Sequence, residues 1–187
     1  MTFHDLNIKK PILTALDELE YTTPTTIQSA GFSVMMSGKD VIGLAQTGTG
    51  KTLAYLLPVL SMWKFSKEPH PQILIIVPTR ELVVQVVREV EKLTPYMNVA
   101  VGGVYGGANI NTQAAMVLQG LDILVGTPGR IFDLTANGSL QLKHAKKVVI
   151  DEVDETLNLG FRPQLMRIFD LLPEKRQNLL FSATLSE

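Results

Sequence analysis

Apolar residues follow two patterns that alternate along the chain. Short, wholly apolar runs such as residues 73–77 are typical of strands buried on both faces of a parallel sheet. Between these runs, apolar residues recur every three or four positions, as in amphipathic helices. In the segment 82–93, for example, apolar side chains fall on one helical face and charged ones on the other. The alternation predicts βαβ units, and so an α/β fold with a doubly wound, mostly parallel sheet and helices on both faces.

The same patterns place the individual elements. Strands are predicted at 41–44, 73–77, 99–104, 123–125, 148–150 and 178–181. Helices are predicted at 7–19, 24–37, 53–58, 82–93, 110–119, 129–136 and 161–172. Thr23 is the expected N-cap of the second helix, with Pro24 in its first turn and Gly38 just after its end. Pro58 is expected to kink or end the third helix, since proline removes one backbone hydrogen bond.

Residues 45–52 join an apolar run to a predicted helix and carry the strongest chemical signal. Gly48 and Gly50 permit a tight turn with positive φ, so that backbone amides at a helix N-terminus can point at phosphate oxygens. Lys51 is placed to contact the β- and γ-phosphates, and the Thr52 hydroxyl to ligate Mg²⁺. The residues predicted to hold the phosphates are Ala45, Gln46, Thr47, Gly48, Thr49, Gly50, Lys51 and Thr52. Ala45 stands where the strict phosphate-loop pattern has glycine, and phosphate binding alone leaves kinases, GTPases, transporters and helicases open.

Two carboxylates follow the strand predicted at 148–150. Asp151 can hold Mg²⁺, directly or through water, across from Thr52, and Glu152 can orient and deprotonate a water that attacks the γ-phosphate. An exposed acidic turn is the alternative interpretation. The phosphate loop about 100 residues upstream favours the hydrolase, because both segments would share one Mg²⁺.

Other polar segments also follow predicted strands, and ligands of such sheets bind beyond the carboxyl ends of the strands. Ser182 and Thr184 can bond to Asp154 and report the state of the nucleotide, or they can simply cap the next element. Arg80 and Arg130 stand beside proline-containing turns, where amides and a guanidinium together suit sugar-phosphate contacts. Either arginine could instead form an ordinary surface ion pair. No interleaved aromatic stripe suggests base-specific recognition.

Composition narrows the functional classes. With 187 residues, 45% of them hydrophobic, the chain suits one domain with a sizeable core. Its formal net charge of −1 means that a nucleic acid would have to be held by a local groove. The absence of cysteine excludes thiol catalysis and cysteine-based zinc sites, and three scattered histidines suggest no metal cluster. Without a signal segment or a membrane-length apolar run, a cytoplasmic protein with no membrane partner is expected.

In combination, these motifs resemble the N-terminal RecA-like domain of DEAD-box RNA helicases, over essentially the whole chain. Phe3 lies 17 residues before Glu20, the spacing of the aromatic residue upstream of the family's Q motif. Residues 21–28 resemble the Q motif itself, and 45–52 resemble motif I. Residues 78–82 are similar to motif Ia, 106–107 to the GG motif, 127–130 to motif Ib, 151–154 to motif II and 182–184 to motif III.

The resemblance implies roles for these positions. Phe3, Tyr21, Thr23 and Gln28 would bind the nucleotide, with Gln28 at the adenine. Lys51, Asp151 and Glu152 would be catalytic, with ATP and Mg²⁺ as cofactors and with Thr52 and Asp151 at the metal. Asp154, Ser182 and Thr184 would couple hydrolysis to unwinding. A single RNA strand's backbone, without base specificity, would be contacted by Pro78, Thr79, Arg80, Gly106, Gly107, Thr127, Pro128, Gly129 and Arg130.

The implied protein is an ATP-dependent RNA helicase, with a Q-motif lead-in at 1–30 and the ATP-binding domain at 31–187. The family's second RecA-like domain, which supplies arginines to the phosphoryl group, is absent from this chain, so the fragment alone is expected to be nearly inactive. The sequence departs from the family pattern at Glu20, usually glycine, at Val153, usually alanine, and at Thr156, usually methionine. The alternatives are a P-loop ATPase or small-molecule kinase that does not act on nucleic acid, and a scaffold that retains the fold without turnover.

Overall fold

A single six-stranded parallel sheet forms the centre of the computed structural model, which describes residues 1–184. Its strands are β1 (Val41–Leu44), β2 (Ile73–Ile76), β3 (Val101–Val104), β4 (Ile123–Gly126), β5 (Lys147–Ile150) and β6 (Gln177–Ser182). They lie in the order β1-β6-β5-β2-β4-β3, and each neighbouring pair is parallel. The predicted α/β fold with a parallel sheet is therefore confirmed.

Helices cover both faces of this sheet. They are α1 (Lys10–Glu18), α2 (Thr26–Met36), α3 (Lys51–Met62), α4 (Arg80–Leu93), α5 (Ile110–Leu118), α6 (Pro128–Ala136), α7 (Val153–Asn158) and α8 (Arg162–Leu171). Apolar side chains of α1 to α4 pack on one face, and those of α5, α6 and α8 pack on the other. β2 and β4 are buried along their full length, because helices lie against both sides of them.

The register of the strands aligns their carboxyl ends. Leu44 lies opposite Ser182, Ile150 opposite Leu180, and Ile76 opposite both Ile150 and Gly126. The segments that follow β1, β6 and β5 are therefore neighbours at one half of this edge. The segments that follow β2, β4 and β3 are neighbours at the other half.

Two local predictions were wrong. The N-cap of α2 is Thr25, because the helix begins two residues later than Thr23 and Pro24 would allow. Pro58 was expected to kink or end α3, and the second of these alternatives is wrong, since the helix continues to Met62. Proline removes only its own N–H from the helix, and the buried neighbours Leu57, Val59 and Leu60 hold the last turn against the core.

The ends of the chain contain elements that periodicity did not predict. Phe3–Asp5 is a short 3-10 helix, α7 follows β5 directly, and α1 begins at Lys10 rather than at residue 7. Position 30, the expected boundary of the lead-in, falls inside α2, and Ile12 and Leu16 of the lead-in belong to the same apolar cluster as the sheet.

In the part of the chain that the structure describes, no helix has the length and apolar character to span a bilayer.

Candidate active site

The segment after β1 forms a tight loop that leads into α3. Gly48 and Gly50 have φ angles of 83° and 86°, so both occupy the left-handed region that the sequence analysis expected them to permit. Gly50 is the N-cap of α3, and Thr49 Oγ1 donates to the Gln46 carbonyl at 2.7 Å, which closes the turn. Ala45 has no such backbone requirement, and its amide donates to the Ser182 carbonyl at 3.0 Å. The loop therefore presents a helix N-terminus at the carboxyl edge of the sheet, as an anion site requires.

Lys51 and Asp151 meet beneath this loop. The Lys51 ammonium lies 3.7 Å from Asp151 Oδ1, although 100 residues separate them and β6 lies between their strands. Both side chains are less than a tenth exposed. The two segments that the sequence analysis assigned to one Mg²⁺ site thus share one buried position.

Burial also perturbs the two carboxyl groups that follow β5. Burial raises the pKa of Asp151, and the nearby Lys51 ammonium and the Glu152 amide oppose that rise. Partial burial and the charge of Asp151 raise the pKa of Glu152. Glu152 also has φ 53° and ψ 53°, which costs free energy in a residue that is not glycine. Strain and raised pKa values at one position are typical of functional sites.

The site contains buried polar atoms that the protein itself leaves without hydrogen-bond partners, and a ligand could bind to them. Among residues 1–184, the buried Lys51 ammonium nitrogen has no hydrogen-bond acceptor, and the same is true of the Tyr55 hydroxyl. Thr52 lies in the first turn of the same helix. An unsatisfied ammonium at a helix N-terminus is suited to phosphate oxygens. The same described residues contain no group of three or more acidic, histidine or cysteine side chains placed so that they could hold a metal ion by themselves. A divalent ion here would therefore depend on Thr52, Asp151 and oxygens of the nucleotide, which is the usual donor set for Mg²⁺.

A cavity of about 330 Å³ lies beside the phosphate loop, and Phe3, Tyr21, Thr23 and Gln28 all line it. The four residues that the resemblance assigned to the nucleotide are thus brought together. Gln28 is buried, with Oε1 accepting from the Thr25 amide at 2.9 Å and Nε2 donating to the Gly50 carbonyl at 3.1 Å. In this structure Gln28 therefore joins α2 to the phosphate loop.

The three predicted coupling residues also come together, with one difference. Thr184 Oγ1 and the Thr184 amide both donate to Asp154 Oδ2, at 3.0 and 3.2 Å. The Ser182 hydroxyl instead donates to the Thr184 carbonyl at 2.6 Å. Partial burial raises the pKa of Asp154, but hydrogen bonds, first those from Thr184, outweigh it and leave this pKa below its usual value.

The predicted RNA-contacting segments line the other half of the edge. Thr79 is the N-cap of α4, where Oγ1 accepts from the Leu82 amide at 3.3 Å. The Arg80 guanidinium lies 4.9 Å from the centre of the Tyr105 ring. Gly106 and Gly107 are exposed and have open space above them, and Gly107 has a φ of 77°. Exposed amides, an arginine and the start of a helix here can contact an anionic backbone.

Within this segment Arg130 is bound inside the protein. Its two terminal nitrogens donate to the Ala108 carbonyl at 3.1 Å, and Nη1 also donates to Gln113 Oε1 at 2.9 Å. Its side chain is only 10% exposed. Thr127 and Pro128, at the start of α6, are also buried, and Gly129 is half-buried. Arg130 therefore fixes the loop that contains Gly106 and Gly107, and Arg80 is the more exposed cation.

Comparison with known proteins identifies this arrangement. A family model described as DEAD/DEAH box helicase matches residues 25–187. The chain belongs to this family. The resemblance inferred from the motifs is confirmed.

Several DEAD-box relatives match the whole chain. The ATP-dependent RNA helicase DeaD of Escherichia coli (strain K12) is 43% identical over 190 residues, and DeaD of Haemophilus influenzae is 41% identical over 188 residues. The DEAD-box ATP-dependent RNA helicase CshA of Streptococcus pneumoniae is 41% identical over 187 residues. The chain is covered completely in each comparison, but it spans only 30% of both DeaD proteins and 36% of CshA.

Two buried polar residues of this DEAD-box domain were not predicted from the sequence. Gln113 is buried, and its amide exchanges hydrogen bonds of 3.2 Å with the Tyr105 backbone while it accepts from Arg130. Its only sequence signal was a polar residue on a helix that is otherwise apolar at that face. Tyr55, which is fully buried on α3, looked like an ordinary core residue, because periodicity does not show where a hydroxyl points.

Proposed function

We propose that this chain is the ATP-binding part of an ATP-dependent RNA helicase, which binds ATP with Mg²⁺ and couples hydrolysis to local unwinding of RNA. The single observation that carries the proposal is the buried approach of the Lys51 ammonium to Asp151 at 3.7 Å beneath a glycine loop. Membership of the DEAD/DEAH box family supports the same conclusion, and so do the relatives, which are named ATP-dependent RNA helicases.

Each part of the phosphate site has a chemical task. Mg²⁺, when bound, neutralises charge on the phosphate oxygens. The amides of the loop and the N-terminus of α3 bind those oxygens, and Lys51 supplies the nearest buried positive charge. Thr52 and Asp151 are the side chains that would hold the ion. Glu152 is next to Asp151, and a raised pKa makes its carboxylate a stronger base for the attacking water.

RNA is proposed to lie across the carboxyl ends of β2, β4 and β3. The contacts would come from the start of α4, the loop at 105–109 and the start of α6. Most are backbone groups, which bind phosphate and sugar without reading bases. Single-stranded RNA without sequence preference is therefore the expected ligand, and Asp154 with Thr184 would connect this half of the edge to the nucleotide.

A nucleotide-dependent RNA affinity distinguishes this function from that of a P-loop kinase or an ATPase without nucleic acid. Labelled oligo-U is titrated into the full-length protein with and without a non-hydrolysable ATP analogue. Tighter RNA binding in the presence of the analogue supports the helicase. RNA binding that is absent, or that the analogue does not change, supports the alternative.

Glu152→Gln in the full-length protein tests turnover against a scaffold that retains the fold. Loss of a general base costs about 10²–10⁴ in rate, while the glutamine preserves the shape of the site. We expect ATP to stay bound and hydrolysis to fall by about this factor. Glu155→Gln, on the exposed side of α7, is the matched control and should hydrolyse ATP at the wild-type rate. Equal rates for both variants would support the scaffold.

A second RecA-like domain is the proposed partner of this chain in the full-length protein. Arginines supplied from another domain stabilise the transferring phosphoryl group by about 10³–10⁵ in rate in related chemistry. We therefore expect the 187-residue chain alone to bind nucleotide weakly and to hydrolyse it barely. Steady-state ATPase assays with and without RNA check this, and RNA-stimulated turnover by the chain alone would contradict it.

A further inference from the structure

A basic cavity of about 480 Å³ lies at the amino ends of the strands, on the opposite edge of the sheet from the phosphate loop. It is formed where the starts of β5 and β6 meet the turn after α2. Five of the nine residues that line it are lysine or arginine and one is histidine, namely Lys143, Lys146, Lys147, Lys175, Arg176 and His144. A chain with a formal net charge of −1 therefore concentrates positive charge at a place that none of the motifs described above includes.

The positive charge of this basic cavity is not balanced by the protein around it. Among the described residues, no carboxylate lines it. Two nearby carboxylates already have partners. Glu68 lies 3.4 Å from His144, and Asp40 accepts hydrogen bonds from the Asn178 amide and side chain at 2.7 and 3.1 Å. Like charges that are held close together repel one another, and a bound anion removes that repulsion.

Lys147 is held in a fixed position in the basic cavity. Its ammonium donates to Gln177 Oε1 at 2.8 Å and to Met62 Sδ at 3.4 Å. Gln177 is buried, and its Nε2 donates to the Met35 and Lys39 carbonyls at 2.9 and 2.7 Å. Burial lowers the pKa of Lys147, which a neighbouring anion would counteract. Because an ammonium has three donors, Lys147 keeps one for such a ligand.

Arg176 is fixed as well. Its Nε donates to Asn178 Oδ1 and its Nη1 to the Pro173 carbonyl, both at 2.9 Å, and its guanidinium lies 5.5 Å from the centre of the Phe169 ring. A guanidinium has five N–H donors, so within residues 1–184 these bonds leave Nη2 available for a ligand. The other three cations are exposed and can move towards a bound anion: Lys143, Lys146 and Lys175. The basic cavity therefore combines two fixed cations with three adaptable ones.

The predicted RNA edge has much less positive charge. Of the residues assigned to it, only Arg80 and Arg130 are cationic, and Arg130 is bonded inside the protein. A large share of the affinity of proteins for nucleic acids comes from cations that neutralise phosphates. The two edges are separated by strands of four to six residues, about 13–20 Å in length. A long RNA can therefore reach both edges.

We propose that the basic cavity is a second site for the sugar-phosphate backbone of RNA, which binds the part of a long RNA that extends beyond the carboxyl edge of the sheet. The inference rests on the proposed function, since it takes RNA as the ligand. Lysine ammonium groups are compact charges that contact phosphates without reading bases. Protein interfaces, by contrast, are usually centred on buried apolar or aromatic anchors, and no large apolar side chain is among the described residues that line the cavity.

The test is the double variant Lys143→Gln with Lys175→Gln in the full-length protein. Its ligand is oligo-U of about 30 nucleotides, which exceeds the usual single-strand site size of about 4–16. Each lost phosphate contact lowers the slope of log affinity against log salt by about 0.7, so the slope should fall by about 1.4. The affinity itself should fall about 10–30-fold at about 0.1 M salt.

Oligo-U of about 6 nucleotides separates this site from the carboxyl edge, since it is too short to reach both. The increase in affinity that a non-hydrolysable ATP analogue gives for this short RNA should stay at the wild-type value in the double variant. The melting temperature should stay the same or rise, because both lysines are exposed and their repulsion is removed.

Lys10→Gln with Lys92→Gln is the matched control. Both lysines are exposed, neither lines the basic cavity, and the control changes the net charge by the same amount. The control should bind the long RNA with the wild-type affinity and salt dependence. An equal loss in both double variants would assign the effect to net charge and overturn the inference.

Two further results would decide the matter. If the long RNA bound the cavity variant and wild type with the same affinity and salt dependence, the inference would be wrong, and the cavity would be left to another anion such as an acidic protein segment. The proposed function would be untouched by that result. Its own failure would appear separately, as a wild-type affinity for the short RNA that the ATP analogue does not change.

Discussion

Thr184 contacts Asp154 through two hydrogen bonds to the same carboxylate oxygen, one from its amide at 3.2 Å and one from its hydroxyl at 3.0 Å. The pair joins the segment after β6 to the first turn of α7, which begins directly after Asp151 and Glu152, the proposed catalytic carboxylates. A change at Asp151 or Glu152 can therefore reach β6 through a short, directly bonded path.

Thr184→Val tests this connection in the full-length protein. The variant loses the hydroxyl donor but keeps the amide and the shape of the side chain. We expect RNA-stimulated hydrolysis to remain and duplex unwinding to fall several-fold, because the path between nucleotide and RNA is weakened. Unwinding and ATPase assays on the same preparation give the ratio of duplex unwinding to ATP hydrolysis for each variant. An equal fall in unwinding and hydrolysis would contradict a coupling role. Because the Thr184 hydroxyl helps to lower the pKa of Asp154, carbon-13 NMR of the variant should show a higher pKa for this carboxyl group.

Asp151→Asn should make the ligand-free protein more stable at neutral pH, by about 0.5–2 kcal/mol, although it removes Mg²⁺-dependent binding. Burial raises the pKa of Asp151 in the folded state, so the folded protein keeps this proton to a higher pH than the unfolded chain. That stabilisation is fully present below the unfolded pKa of about 3.9 and is lost as pH rises through the folded pKa.

The pH dependence is therefore the decisive measurement for Asp151→Asn. The difference in melting temperature between the variant and wild type should be small near pH 4 and grow as the pH approaches 7. Glu155→Gln, whose side chain is exposed on the same helix, should show no such growth. If the difference in melting temperature between Asp151→Asn and wild type shrank with rising pH, the pKa of Asp151 could not be raised by folding.

Glu20→Gly should stabilise the chain by about 0.5–1 kcal/mol. Glu20 has a φ of 59°, and a left-handed conformation costs a residue with a Cβ about 1–2 kcal/mol. Glycine avoids that cost. The greater conformational entropy of its unfolded state, however, offsets about 0.4–1 kcal/mol of the gain in stability. The same replacement at Glu91, exposed within α4, is the control and should destabilise by about 1 kcal/mol. Chemical denaturation measures both, and the two effects should differ in sign.

Arg130→Lys and Arg80→Lys should separate two roles within the predicted RNA edge. A lysine at 130 cannot reproduce the fork that donates to Ala108 and Gln113, so we expect a loss of about 1–2 kcal/mol in stability. Amide hydrogen exchange at 105–109 should become faster in this variant. Arg80→Lys should leave exchange unchanged, because the Arg80 side chain is exposed.

The RNA affinity of the full-length protein completes this comparison. Arg80→Ala should weaken RNA binding. The dependence of the RNA affinity on salt concentration should also fall, by the equivalent of about one phosphate contact. Its stability should stay within about 0.5 kcal/mol of wild type. Unchanged RNA affinity for Arg80→Ala would remove Arg80 from the proposed interface.

Much of the fold could be predicted because its signals are local. Residues 73–76 are all apolar, and only a strand buried on both faces explains such a short run. Local signals predicted the ends of helices less well, because packing against the core also determines where a helix begins and ends. Pro58 predicted a kink or an end of α3, yet the helix continues past it, because the packing of the surrounding apolar residues outweighs one lost hydrogen bond. Thr23 and Thr25 are both suitable N-caps, and the choice between them depends on where α2 meets the rest of the core.

The candidate site divides in the same way. The residue types, spacing and strand-end positions of Lys51, Thr52 and Asp151 predicted a shared phosphate and metal site, and the structure does bring Lys51 and Asp151 together. The sequence could not show that Arg130 turns inward to Ala108, or that the Ser182 hydroxyl bonds to Thr184 rather than to Asp154. A side chain's direction depends on which partners the fold brings within about 3 Å, and those partners are distant in the chain.

By itself, then, the sequence determined the alternation of strands and helices, the glycine loop and the residue types available at each strand end. These depend on backbone preferences and on the period of apolar residues, which act over a few positions. Only the tertiary structure decided the strand order, which places β6 between β1 and β5 and brings Lys51 within 3.7 Å of Asp151. It also buried Tyr55 completely, because burial and contact are set by parts of the chain that folding brings together from far apart.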